Sequence, residues 1–146
     1  MRFFSFLITF IFLTGTAMAD DWITKTSPHS VEKTVAQLTA AIEGAGAKVF
    51  AVVDHAAGAK KVDAKLAPAT LVIFGNPKIG TPVMQANIRA GLDLPLRVLV
   101  FEKDGKTTIG YLDPAKLKQR YEISGADEVF AKITGALNKL TDAAGK

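Results

Sequence analysis

The sequence contains no cysteine. That excludes disulfides, a thiolate nucleophile, Cys-ligated zinc, iron–sulfur clusters and haem attached through a C-x-x-C-H motif. Histidine is nearly as scarce, with only His29 and His55, and tryptophan is single. No internal repeat, low-complexity tract or linker is present, and 146 residues are enough for one domain. The only long apolar run, Phe3 to Leu13, is short of the about 20 residues that span a bilayer. No strong excess of one charge exists either. A net charge of +4 is too mild to argue for nucleic acid. An apolar fraction of 49% excludes a disordered chain.

What is present begins with an address. Met1-Arg2 gives a basic start, the run from Phe3 to Leu13 is broken only by Ser5 and Thr9, and Ala17-Met18-Ala19 is a small-x-small triplet. This is the pattern of a secretory signal peptide over residues 1–19, with cleavage after Ala19. The expectation is a periplasmic or secreted protein of residues 20–146, with no membrane contact once the leader is gone. The mature chain keeps Phe50, Phe74, Phe101 and Phe130 together with Trp22, Tyr111 and Tyr121.

Periodicity and turn chemistry predict the elements. Trp22 to Ser27 reads as a strand. Ser30 is suited to cap a helix whose Val31, Val35, Leu38 and Ile42 form one stripe, ended by Gly44 and Gly46. Lys48 to Asp54 is β-branched and strand-like, and His55 to Val62 is a short helix or turn. Leu71-Val72-Ile73-Phe74 reads as a covered central strand, stopped by Asn76-Pro77. Thr81-Pro82 predicts the start of the next helix, ending near Gly91. Leu96 to Glu102 and Thr107 to Leu112 form a hairpin around Asp104-Gly105, because Asp-Gly suits the positive-φ turn positions. Asp113-Pro114 caps a helix to about Arg120, and the last helix runs from Ser124 to Ala144. The predicted class is α+β: a two-layer α/β sandwich with a mixed sheet and helices packed on one face.

Four stretches recur together in a known family. They are Asp54-His55-Ala56-Ala57, then Phe74 to Lys78, then Gly80 to Asn87, and Leu92 to Arg97. With Tyr111 and Pro114 following in order, the chain resembles the domain-of-unknown-function family numbered 302 over about residues 27–140. The resemblance implies a compact two-layer α/β fold that commonly forms homodimers. It implies no established reaction.

Each candidate residue carries two readings. Asp54 and His55 could serve a hydrolase or isomerase, and His55 could ligate haem or a metal, with Met84 as a second, thioether ligand. The bland alternatives are a loop histidine satisfied by backbone and a core methionine. Around Asn76, Lys78, Gly80 and Thr81, amides at the start of a Thr81 helix could receive an anion. Otherwise Asn76-Pro77 is an Asx turn and Gly80 relieves crowding. No Gly-Lys-Ser/Thr run makes this a nucleotide loop. Arg97 either faces an acidic ligand or pairs with Asp93. Tyr111 could converge with Asp54, His55 and Asn76. The sequence shows no convincing nucleophile–base pair or paired carboxylates, which leans away from an enzyme. The reading is a homodimeric small-ligand-binding or accessory module, with its pocket beside the Phe74–Met84 loop.

Overall fold

The computed structural model describes residues 21–146, so the leader lies outside the described residues. The helix caps are local and begin the fold. Ser30 Oγ accepts the Lys33 amide at 3.2 Å and opens α1 (Val31–Gly44). Val31, Thr34, Leu38 and Ile42 of that helix are buried, with Val35 packed beside them. Asp54 opens the short α2 (His55–Lys60), and Asp113 opens α4 (Pro114–Arg120) with Pro114 in the first turn.

Five strands form one sheet: β1 (Trp22–Ser27), β2 (Lys48–Asp54), β3 (Ala69–Gly75), β4 (Leu96–Lys103) and β5 (Lys106–Leu112). Their order is β1-β5-β4-β3-β2, and every neighbouring pair is antiparallel. The sheet is therefore antiparallel and not mixed. β1 and β2 do run in the same direction, but α1 carries the chain from one edge of the sheet to the other. The parallel relation never becomes a neighbour pairing. Asp104 and Gly105, at φ 52° and 71°, close the β4–β5 hairpin as the sequence predicts.

Alternation sorts the strands into two faces. Val72, Phe74, Val98, Val100, Ile109 and Tyr111 are buried against α1 and the last helix, α5 (Asp127–Ala144). That helix contributes Phe130, Ile133, Leu137 and Leu140 to the core. It starts three residues later than predicted. Glu122 and Gly125 sit at φ 50° and 74°, a left-handed backbone that cannot continue a helix through Ser124. The other face of the sheet presents Leu71, Ile73, Leu99 and Phe101, all half-buried.

The segment after β3 also departs from expectation. Helix α3 spans Pro77–Ala86, so it begins four residues before Thr81. Asn76 Oδ1 accepts the Lys78 amide at 2.9 Å, and the Asn76 carbonyl accepts the amides of Ile79 and Gly80. These bonds nucleate the helix early and leave Pro82 inside it. Asn87 ends α3 and caps a 3-10 turn, Ile88–Leu92, where a longer helix was expected.

Candidate functional site

β2 carries a bulge between Val49 and Ala51, which leaves Phe50 without a partner in the register. Phe50 is half exposed, and its ring borders a cavity at the Lys48–Gly75 end of the sheet. That cavity measures about 440 Å³. Its floor is Phe74 and Leu96, and α3 supplies Ile79, Gly80, Thr81 and Met84. Leu94 and Pro95, joined by a cis peptide, close one side, and Ile133 and Ala136 of α5 close another. The lining is almost wholly apolar. Its polar members are Asn76, Thr81 and Lys132, and no acidic residue lines it among the described residues.

Of the predicted site residues, Asn76, Gly80 and Thr81 are thus brought together, and Lys78 flanks them on α3. The anion cradle is not formed. Pro77 has no amide hydrogen, and the amides of Lys78, Ile79 and Gly80 are all bonded within the chain. Asn76 makes the Asx turn and also donates to the Gly46 carbonyl at 3.4 Å. Crowding does not explain Gly80. A Cβ there would meet nothing nearer than the Leu94 Cδ1, at 4.0 Å. The hydrogen of Gly80 borders open cavity.

Asp54 and His55 lie elsewhere. Asp54 pairs with Thr70 and Lys48 with Gly75, so His55 and Asn76 sit at opposite ends of β3. At about 3.3 Å per residue, some 17 Å of strand separates them. His55 and Met84 therefore cannot share one haem or metal, and Asp54, His55, Asn76 and Tyr111 do not converge. The Asp54 carboxylate is engaged by the Ala57 amide at 2.9 Å, and His55 is exposed on the first turn of α2. Met84 packs its sulfur against Gly91 while lining the cavity. Among the described residues, no group of three or more His, Asp or Glu side chains is placed to hold a metal.

Arg97 and Tyr111 border a second cavity of about 280 Å³. It opens where β4 and β5 diverge, beyond their last pair, Leu99 with Gly110. Here Asp93, nearly buried, accepts from Arg97 on one oxygen. Its other oxygen accepts from Arg120 and from the Tyr121 hydroxyl, each at 2.8 Å. Burial pushes the Asp93 carboxyl up, but the hydrogen bonds from Tyr121 and Arg120 and the charges of Arg120 and Arg97 outweigh it. The carboxyl is held below its ordinary range. The same bond to Asp93, then burial, raises the Tyr121 phenol. Tyr111 is buried and donates to Asn138 at 2.9 Å. These groups are engaged with one another.

Sequence motifs could not reach the α5 residues of the cavity, because Lys132, Ile133 and Ala136 arrive only through helix packing. The Leu92–Arg97 motif did contain Leu94 and Pro95, and their apolar character next to a strand was the available signal.

Residues 23–140 are matched by a family described as Domain of unknown function DUF302. The chain belongs to the DUF302 family. A solved structure, the uncharacterised conserved protein DUF302 from Bacillus stearothermophilus, superposes with a TM-score of 0.79 at 20% identity. That match covers 86% of this chain and 99% of the other, and it shows the shared DUF302 fold. Among curated proteins, the "Fluoride-specific ion channel FluC 1" of Brucella suis biovar 1 (strain 1330) is 41% identical over 126 residues. The match takes in 84% of this DUF302 chain and 50% of that protein. The protein of the same name from Brucella abortus biovar 1 (strain 9-941) is also 41% identical, with 47% of it covered. The chain spans about half the length of the curated relatives it matches. Among the described residues, no helix is long and apolar enough to cross a membrane.

Proposed function

We propose that this DUF302 chain is an exported ligand-binding module that takes a small, largely apolar molecule into the crevice between α3, α5 and the end of the sheet. The observation that carries this is the cavity of about 440 Å³ with an apolar lining. Binding sites for small molecules are usually concave and mainly apolar, with a few placed polar groups, in the range of about 300–1,000 Å³. Gly80 adds to the case. A glycine inside a helix costs about 0.5–1 kcal/mol relative to alanine, and no neighbour demands it here. Its lack of a side chain keeps the crevice open.

The test uses two variants at that position. Gly80→Ala is expected to raise stability by about 0.5–1 kcal/mol in urea unfolding. Gly80→Leu is expected to fold, fill the crevice and abolish uptake of 1-decanol measured by titration calorimetry. Uptake unchanged in Gly80→Leu would refute this crevice as the site.

The leader pattern of residues 1–19 supports export. A second reading concerns assembly, favoured by the uncovered face of the sheet. Leu71, Ile73, Leu99 and Phe101 share that face, and Trp22 lies over Gly110 on it. Arg97 is paired with Asp93, and the other charged strand residues that share this face, Lys48, Lys103 and Lys106, lie at strand ends. A second copy of the chain, packed face to face about a two-fold axis, would cover it. The curated relatives extend this picture. Half of each lies outside the region shared with this chain. We infer that their membrane-crossing segments lie in that other half and that the shared half is an accessory module appended to a channel.

A further inference from the structure

We propose that the ligand of the crevice is an amphipathic anion, an apolar chain ending in a carboxylate, with the carboxylate placed at Lys132. This rests on the crevice being the binding site. Taking about 30 Å³ for each small heavy-atom group, the volume of one liquid water, 440 Å³ holds roughly 15 heavy atoms. A medium-length acyl chain with its head group is of that size. The interior offers Phe74, Ile79, Leu94 and Ile133 to such a chain, and Asn76, Thr81 and Lys132 are the polar members of the lining.

The rim differs from the interior in one respect, its charge. Lys132 lines the cavity from α5. It takes part in no ion pair or hydrogen bond among the described residues, although Glu128 lies one turn earlier on the same helix. Lys48 places its ammonium 5.5 Å from the centre of the Phe50 ring, another lining residue. Lys78 lies between the lining residues Pro77 and Ile79. Lys132 is thus a cation in an apolar lining that, among the described residues, contains no acid, and Lys48 lies beside that lining at Phe50. A neutral apolar ligand would make no use of that arrangement, and a cationic one would be repelled. Asn76 is neutral, and its side chain already accepts from the Lys78 amide and donates one of its two hydrogens to the Gly46 carbonyl, so the charge partner for a carboxylate is Lys132.

The experiment compares decanoate with 1-decanol on the purified protein by titration calorimetry, at low and at high salt. Decanoate is expected to bind about two- to fivefold more tightly, the size of one solvent-exposed ion pair. Lys132→Gln is expected to erase that preference, bringing the two ligands to equal affinity, and high salt is expected to weaken the preference in the parent protein. Equal binding of the two ligands, both blocked in Gly80→Leu, would overturn the anionic assignment and keep the crevice as the site. A preference that survives Lys132→Gln would overturn the role of this lysine. Binding of neither ligand would overturn both the assignment and the reading beneath it.

Discussion

Asp93 holds more of the local structure than any other single polar side chain. It is nearly buried and accepts from Arg97, Arg120 and Tyr121, which tie the start of β4 to the end of α4. Replacing it with Asn keeps the shape and removes the charge that orients two guanidinium groups. The expected cost is about 1.5–3 kcal/mol, the range for hydrogen bonds to charged groups, read from denaturant midpoints. The pH dependence follows from the two shifts. The folded Asp93 carboxyl lies below its ordinary value, so its stabilisation is complete above about pH 4 and is lost as acid protonates it. Tyr121 is raised, so its contribution is complete below about pH 10 and is lost as alkali ionises it. Asp93→Asn is expected to flatten both limbs of the stability profile, and a variant whose acid limb matched the parent would contradict this account. At Gly110, a Cβ would meet the Trp22 ring at 2.9 Å. Gly110→Ala is therefore expected to displace the indole and shift the emission of the single tryptophan.

At the scale of elements, α3 shows what local chemistry does and does not reveal. Two Pro signals compete in this stretch, Asn76-Pro77 and Thr81-Pro82. Either could mark a first helical turn. The Asn76 side chain and carbonyl decide it, by collecting three amides before Thr81 is reached. The same local logic made Ser30, Asp104-Gly105 and Asp113-Pro114 legible, because each acts within four residues. The sheet order was not legible. Which strands become edges depends on where α1 delivers β2, and no residue of α1 announces that. The cavity was half legible for the same reason: Asn76, Gly80 and Thr81 come from one motif, whereas the α5 wall comes from packing. Asn76→Ala should test the coupling between cap and site. Loss of an N-cap costs about 0.5–2 kcal/mol, and here it would also release the bond to Gly46. The expected result is lower stability together with weaker decanol binding, measured on one preparation by urea unfolding and calorimetry.

The whole molecule is a sandwich with one slice missing. Helices cover one face of the sheet, and Leu71, Ile73, Leu99 and Phe101 are left on the other. Five strands about 4.8 Å apart and six to eight residues long give that face a flat footprint of about 500 Å². Stable interfaces bury about 800 Å² on each partner, and those below about 1,200 Å² in total are weak or transient. The proposed dimer should therefore depend on concentration. Mass measured by light scattering is expected to fall from dimer toward monomer on dilution through the micromolar range. Leu99 sits at the middle of the face, paired with Leu71 on one side and Gly110 on the other. A lysine there points its charge into the contact twice, once from each copy, because a two-fold axis repeats every substitution. Leu99→Lys should be monomeric at all these concentrations yet unfold at nearly the parent's denaturant midpoint, since the opposite face carries the core. A parent protein that is monomeric at every concentration would refute the dimer, as would a Leu99→Lys variant of unchanged mass. Neither result would touch the crevice, whose lining α3 and α5 complete from the helical side.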